Sequence, residues 1–181
     1  VSEQAVEKQI QLQLQGTEDL WLKGNAELLE RAVINLLTNA VQYSPRGSDV
    51  SIQVFRAGHQ ACLTIADEGT GIDPEELPHL FDRYRRQKST ELAGVHGTGL
   101  GLSFVKTVVE KHRGEISVSS QPGEGSAFTL KGALSRRAFF VEVGHTIRTT
   151  THLCPLVRLL MSKLSSVFSL KRQARGYESD H

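Results

Sequence analysis

Apolar and polar residues alternate strictly over residues 10–15 (IQLQLQ), the pattern of a strand with one buried face. Residues 19–22 predict a second short strand, closed by Lys23-Gly24-Asn25, where Asn25 is placed to cap the element that follows. From Ala26 to Tyr43 the apolar positions are Leu28, Leu29, Ala32, Val33, Leu36, Leu37, Ala40 and Val41. Their three-then-four spacing predicts an amphipathic helix, stopped by Ser44-Pro45-Arg46-Gly47. Residues 50–55 and 62–66 predict consecutive strands joined by a turn at Ala57-Gly58-His59. Residues 73–76 predict the start of a short helix, with Asp73 as cap and Pro74 in its first turn. Residues 101–111 predict a helix that ends near Arg113-Gly114, and residues 115–119 and 127–130 a closing pair of strands around Gly123-Glu124-Gly125. Hairpin-joined strands mixed with helices argue against a parallel doubly wound sheet. The predicted class is α/β: a two-layer sandwich with helices on one face of a mixed, mostly antiparallel sheet.

Charge divides the chain. The total is 21 Lys+Arg against 20 Asp+Glu, and gives no reason to expect nucleic acid as a partner. Residues 1–134 nevertheless carry a net charge of −4 and residues 135–181 a net +5, so a boundary is placed near Leu134. The two cysteines, Cys62 and Cys154, exclude a disulfide scaffold and argue against a cysteine-built metal site. No apolar run has the length of about 18 residues that a membrane helix needs, and the start shows no signal-peptide pattern. Val1 stands where a methionine would begin a complete chain, which points to a piece of a longer protein.

Three clusters carry candidate chemistry. Asn35 and Asn39 lie four apart and share a face of the predicted helix 26–43. They are either a pair of helix-surface amides or oxygen ligands for a hard cation such as Mg2+, shared with substrate phosphates. Asp67-Glu68-Gly69-Thr70-Gly71 follows an apolar strand. It is either an ordinary glycine-rich turn, or a turn that admits a flat ligand while Asp67 accepts from a purine amino group. Gly97-Thr98-Gly99-Leu100-Gly101-Leu102 runs into a helix, where backbone N–H groups can receive phosphate. It is not a dinucleotide fingerprint, since Leu102 stands where the third glycine belongs, and no Gly-Lys-Ser/Thr follows to make a P-loop. Between the last two lie Arg83, Arg85 and Arg86, either a solvated basic turn or partners for phosphate oxygens. The polar stretch 87–96 after them suits a mobile lid.

In this order and spacing, residues 1–134 resemble the catalytic ATP-binding domain of sensor histidine kinases, in the GHKL (Bergerat-fold) ATPase superfamily. Residues 28–45 (LLERAVINLLTNAVQYSP) resemble the N box, 67–71 the first glycine box, 81–86 the F box, 97–102 (GTGLGL) the second glycine box, and 123–128 (GEGSAF) the closing turn and strand. The resemblance implies that Asn39 holds the Mg2+ bridging the ATP phosphates and that Asn35 assists at the metal and γ-phosphate. It implies that Asp67 binds the adenine amino group in a pocket shaped by Gly69 and Gly71, with Tyr43 flanking the nucleotide. Arg83 or Arg86 would align the γ-phosphate; Gly97, Thr98, Gly99, Leu100 and Gly101 would provide the lid hinge and phosphate contacts.

Hydrolytic members of the superfamily carry a Glu four residues before the metal Asn. Here Asn35 occupies that place, an amide without useful basicity. An imidazole nucleophile needs little help from a base near neutral pH, so Asn35 favours transfer to histidine over hydrolysis. The implied function is transfer of the ATP γ-phosphate to a histidine on a helical hairpin, for relay to a response regulator. The parent is expected to be a homodimer working on the cytoplasmic side, at the inner membrane if it is anchored there. Two departures stand out. Gln42 replaces the Lys usual three residues after the metal Asn, and no phospho-accepting hairpin precedes Val1. His145 lies beyond the domain and lacks the acid and proline of an acceptor box. The alternatives are an ATP-binding regulatory module with poor transfer and a GHKL ATPase.

Residues 135–181 match no pattern of the family. Leu156, Leu159, Leu160, Leu164, Val167 and Phe168 share one helical face after Pro155, with Lys163, Lys171, Arg172 and Arg175 adding positive charge. A basic amphipathic helix near 155–170 is expected, docked on the domain, bound to a partner or a membrane surface, or without a selected role. Low order is expected over 173–181.

Overall fold

The computed structural model describes residues 2–16, 20, 22, 24–84 and 99–134. The chain forms α1 (Ser2–Glu7), β1 (Gln11–Gln15), α2 (Ala26–Tyr43), β2 (Asp49–Ala57), β3 (Gln60–Asp67), a 3-10 turn (Leu77–His79), α3 (Gly101–Lys111), β4 (Glu115–Gln121) and β5 (Gly125–Ala133). The strands make one sheet in the order β1-β2-β3-β5-β4. Only β1 and β2 pair in parallel; the other three pairings are antiparallel. This is the mixed, mostly antiparallel sheet that the sequence predicts.

The register explains which face is covered. Leu14, Ile52, Ile65, Phe128 and Val118 stand opposite one another across all five strands. Two residues along, Val54, Leu63, Leu130 and Ile116 make a second row. Side chains two apart share a face, so both rows project to the same side. Against that side pack Ala32, Val33, Leu36, Leu37, Ala40 and Val41 of α2 and Val105, Val108 and Val109 of α3, all buried. The intervening residues Gln13, Ser51, Gln53, Thr64, Thr129 and Ser117 form the polar opposite side, where the Thr64 and Thr129 hydroxyls bond at 3.0 Å.

Local chemistry sets the element ends. Asn25 caps α2 as predicted, its Oδ1 accepting from Leu28 N–H at 3.0 Å. The predicted helix after Asp73 is reduced to a turn and one 3-10 segment. Asp73 Oδ1 accepts from Glu75 N–H at 2.9 Å, but Pro78 has no N–H with which to continue a helix begun at Pro74. α1 was not predicted: six residues are too few to display a helical period. It ends in a Schellman-type closure, with Ile10 N–H to Ala5 O at 2.8 Å, Gln9 N–H to Val6 O at 3.0 Å and Gln9 at φ 56. Of the strand predicted at 19–22, only Leu20 and Leu22 are described, and Leu22 makes a single bridge to Leu134. The proposed C-terminal amphipathic helix lies outside the described residues.

Ile65, 1% exposed, sits at the middle of the five-strand row. Ile65→Ala is expected to lower unfolding free energy by about 2–5 kcal/mol, read as a lower urea midpoint with an unchanged slope.

Candidate functional site

The covered face changes chemistry at one end of the sheet. The row beyond Ile52 and Ile65 runs Leu12, Val50, Asp67, Ser126, Ser120. The alternation that puts Leu63 and Ile65 into the core therefore puts Asp67 on the same side, where the apolar layer stops. Its Oδ1 accepts from Gly69 N–H at 2.9 Å. Burial raises the Asp67 carboxyl above its ordinary value of 3.8, against the opposing pull of backbone N–H groups at Gly69 and Ser126.

The turn after Asp67 is held in shape from three sides. A Cβ on Gly69 would come within 2.8 Å of the Tyr43 carbonyl, so a hydrogen there lets the end of α2 approach the turn. Gly71 has φ 69, and a Cβ there would collide with the Gln121 carbonyl. The Ser120 hydroxyl accepts from Ile72 N–H at 2.9 Å and donates to Gly125 O at 2.7 Å, while Gly123 N–H bonds Thr70 O at 2.8 Å. The turn and the β4–β5 hairpin are thus one unit.

α2 passes beside this unit. Asn35 and Asn39 are half-buried on its face, next to the apolar stripe that enters the core. Asn35 Nδ2 donates back to Arg31 O at 3.0 Å, which leaves its Oδ1 directed toward Gly101; a Cβ on Gly101 would meet that oxygen at 3.4 Å. The N-terminus of α3 therefore lies against Asn35. Leu100, its first flanking residue, gives no side-chain cap, so N–H groups of the first turn remain available to an anion. Asn39 lies one turn further along α2, toward Tyr43 and Asp67.

Leu80 and Phe81 pack against the core, with Lys106 Nζ 5.9 Å from the Phe81 ring centre. Arg83 is exposed, and Tyr84 N–H bonds Gly99 O at 3.1 Å, so both ends of the intervening segment meet beside α3. The structure sets Asn35 against Gly101 and Tyr43 against Gly69 and Asp67, with Asn39 between Asn35 and Tyr43 on α2, Gly71 in the turn after Asp67, and Gly99 and Leu100 leading into α3. Arg86, Gly97 and Thr98, with the predicted lid 87–96, lie outside the described residues. Among the described residues no group of three or more His, Cys, Asp or Glu could hold a metal ion. The donor set instead suits Mg2+, which keeps much of its shell and takes one or two protein oxygens beside substrate phosphates.

Sequence reasoning missed Ser120, an ordinary strand serine until the fold sets it under Ile72. It also missed His112, which joins the far ends of the two long helices. His112 Nε2 accepts from Asn25 N–H at 2.8 Å, which leaves Nδ1–H to donate to Val108 O at 2.7 Å. Neither residue lies in a periodic or glycine-rich pattern that would have marked it.

Two outcomes follow from this geometry. Gly71→Ala is expected to destabilise the domain by about 1–3 kcal/mol through backbone strain and to loosen the hairpin, seen as faster amide exchange at residues 70–72 and 123–125. The folded state binds the Asp67 proton more tightly than the unfolded state does, so stability from this group falls as pH rises through the raised value. Asp67→Asn, which retains an acceptor for Gly69 N–H, is therefore expected to melt higher than the parent at pH 7 without nucleotide. That advantage should vanish as pH falls toward 3.8, checked by thermal melts across pH.

The fold agrees with comparisons to known proteins. The family described as histidine kinase-, DNA gyrase B- and HSP90-like ATPase matches residues 24–135. The sensor-like histidine kinase SenX3 of Mycobacterium bovis is 41% identical over 121 residues, covering 67% of this chain and 30% of SenX3. The phosphate regulon sensor protein PhoR of Pseudomonas aeruginosa is 42% identical over 108 residues, covering 60% of this chain and 24% of PhoR. A solved structure of the mycobacterial sensor histidine kinase MprB superposes with TM-score 0.59 at 30% identity, covering 74% of this chain and 89% of that one. The chain spans under a third of the length of these curated relatives. By fold, by ordered motifs and by these matches, the chain belongs to the histidine kinase-, DNA gyrase B- and HSP90-like ATPase family and is the ATPase catalytic domain that sensor histidine kinases carry.

Proposed function

We propose that this domain binds Mg-ATP at the end of the sheet marked by Asp67 and donates the γ-phosphate to a histidine on a helical hairpin of its parent protein, from which a response regulator takes it. The observation that carries this reading is Asp67 itself, a half-buried carboxylate that sits where the apolar layer ends, with Gly69 and Tyr43 beside it. A carboxylate so placed accepts from the adenine amino group, and the apolar layer behind it receives the ring face. ATP as ligand is what membership of an ATPase family implies.

With the base at Asp67, the phosphates run along α2 toward the N-terminus of α3. Asn39, with Asn35 beside it, would hold the cation, which neutralises phosphate charge when bound. Backbone N–H groups of the first turn of α3, with Leu100 and Gly101 at its start, receive phosphate oxygens, and Arg83 or Arg86 would help align the γ-phosphate. An imidazole nitrogen of the acceptor attacks the γ-phosphorus, the bond to the bridging oxygen breaks, and ADP carries away the electron pair. This chemistry needs positioning and charge neutralisation more than a base. Asn35 supplies an amide where a hydrolytic enzyme would need a carboxylate.

The acceptor hairpin, the response regulator and a homodimeric parent belong to this reading. So does a cytoplasmic site of action, where ATP is available. No helix among the described residues is long and apolar enough to cross a membrane. Residues 1–134 are taken as the catalytic domain and 135–181 as a basic extension. Gln42 favours a second reading, a module that binds ATP and transfers poorly, because one phosphate-facing cation is replaced by an amide.

A fluorescent ATP analogue titrated with and without Mg2+ tests the site. Asp67→Asn is expected to weaken binding by about tenfold or more, since hydrogen bonds to charged groups contribute about 1.5–3 kcal/mol. Asn39→Ala is expected to remove the dependence on Mg2+. A supplied hairpin bearing histidine should then acquire phosphate from the parent chain. Absence of nucleotide binding by the parent sinks the reading, and a large gain in transfer by Gln42→Lys favours the second.

A further inference from the structure

We infer that Lys8 is a positioning residue for the nucleotide pocket, and that through it α1 and nucleotide occupancy act on one another. The inference rests on the proposed nucleotide site. α2 ends without the usual devices. Its flanking Ser44 is extended, with φ −72 and ψ 143, rather than a left-handed glycine, and its last turn holds no basic residue. The last carbonyls of a helix lack intrahelical partners and carry partial negative charge. Ala40 O is satisfied by Ser44, from its N–H at 3.1 Å and its hydroxyl at 2.6 Å.

Lys8 supplies the next partners from outside the helix. Its Nζ donates to Val41 O at 3.1 Å, Gln42 O at 2.6 Å and Ser44 O at 3.0 Å. An ammonium has three N–H donors, and all three are used on one helix end. The remaining contacts hold Lys8 in register. Gly47 N–H bonds Lys8 O at 2.8 Å, Gln11 N–H bonds Ser48 O at 3.1 Å, and Arg46 Nε donates to Gln9 Oε1 at 3.2 Å. The segment from α1 into β1 is thereby fastened to the C-terminal turn of α2.

That turn carries the site. Asn39 immediately precedes it, and the Tyr43 carbonyl sits where only a glycine at position 69 admits it. A shift of the α2 terminus moves Asn39 and Tyr43 against Asp67. The cation at this helix end thus comes from the residue that follows α1 rather than from α2, whose own sequence reads Gln42-Tyr43 there. Coupling between two sites is reciprocal: if Lys8 favours the nucleotide-ready position of α2, bound nucleotide must hold Lys8 and α1 more firmly.

Two measurements on the full 181-residue chain test this. Hydrogen exchange of residues 4–11 is recorded with and without a Mg-ATP analogue, and needs no variant. Slower exchange with the analogue is expected; unchanged exchange, in a chain that binds, overturns the inference. Analogue affinity is then compared for the parent, Lys8→Met and Lys8→Arg, at a temperature where circular dichroism shows each folded. Lys8→Met is expected to weaken binding about tenfold, the scale of a partly buried charge at a helix terminus, and Lys8→Arg to recover part of it. Lys111→Met, an equal loss of charge at the far end of α3, should leave affinity within about twofold by comparison with distant independent sites. Parent-like affinity in Lys8→Met, or an equal loss in Lys111→Met, overturns the inference while the nucleotide site stands. Failure of the parent to bind overturns the nucleotide site itself.

Discussion

The two-residue period of β3 is the constraint on which the rest depends. Leu63 and Ile65 must face the helices to close the core. Asp67 then faces the same way, two residues further on, at the edge of the apolar layer. A carboxylate in that position is costly to bury, and the fold answers with backbone N–H groups of Gly69 and Ser126 rather than, among the described residues, with a cation. The site's polarity is thus written by the same alternation that builds the core. A one-residue slip in β3 would expose Ile65 and carry Asp67 to the opposite face.

Around this carboxylate the structure uses contacts that bind distant segments. Ser120 holds the turn after β3 to the last hairpin, Lys8 holds α1 to the end of α2, and His112 holds the start of α2 to the end of α3. Each joins elements that are far apart in sequence, and each uses its polar atoms fully. α2 is consequently tied at both ends, and α3 at its C-terminal end. Asn35 and Asn39 on one of them keep a set relation to Gly101 on the other and to Asp67 on the sheet.

This division explains what the sequence could reveal. The helix Ala26–Tyr43 announces itself through eight apolar positions at regular spacing, and its Asn25 cap lies next to it in sequence. Hairpins at Gly58 and Gly123 show because their turns are short and their strands regular. Asp67, Asn35 and Asn39 were legible because they stand in compact motifs, glycines on one side and an apolar stripe on the other. Ser120, Lys8 and His112 were not, since a side chain that bonds to a segment dozens of residues away leaves no local pattern. α1 was hidden by its length, and the reduced helix after Asp73 by Pro78, whose effect on a preceding cap depends on where the chain must go next. The strands also run past their apolar cores, as at Lys131 and Gly132 of β5, because pairing with β3 continues after the hydrophobic pattern has ended.

The hydrogen bond from Tyr84 to Gly99 has a separate consequence for how such a domain can diversify. It fixes the distance between two anchor points whatever chain is strung between them. With two such points held together, the closure entropy of any chain between them grows slowly with length, each doubling costing only about 0.6 kcal/mol. Tyr84 and Gly99 thus act as a clasp, and lengthening the chain between them carries a small entropic cost to the framework they belong to.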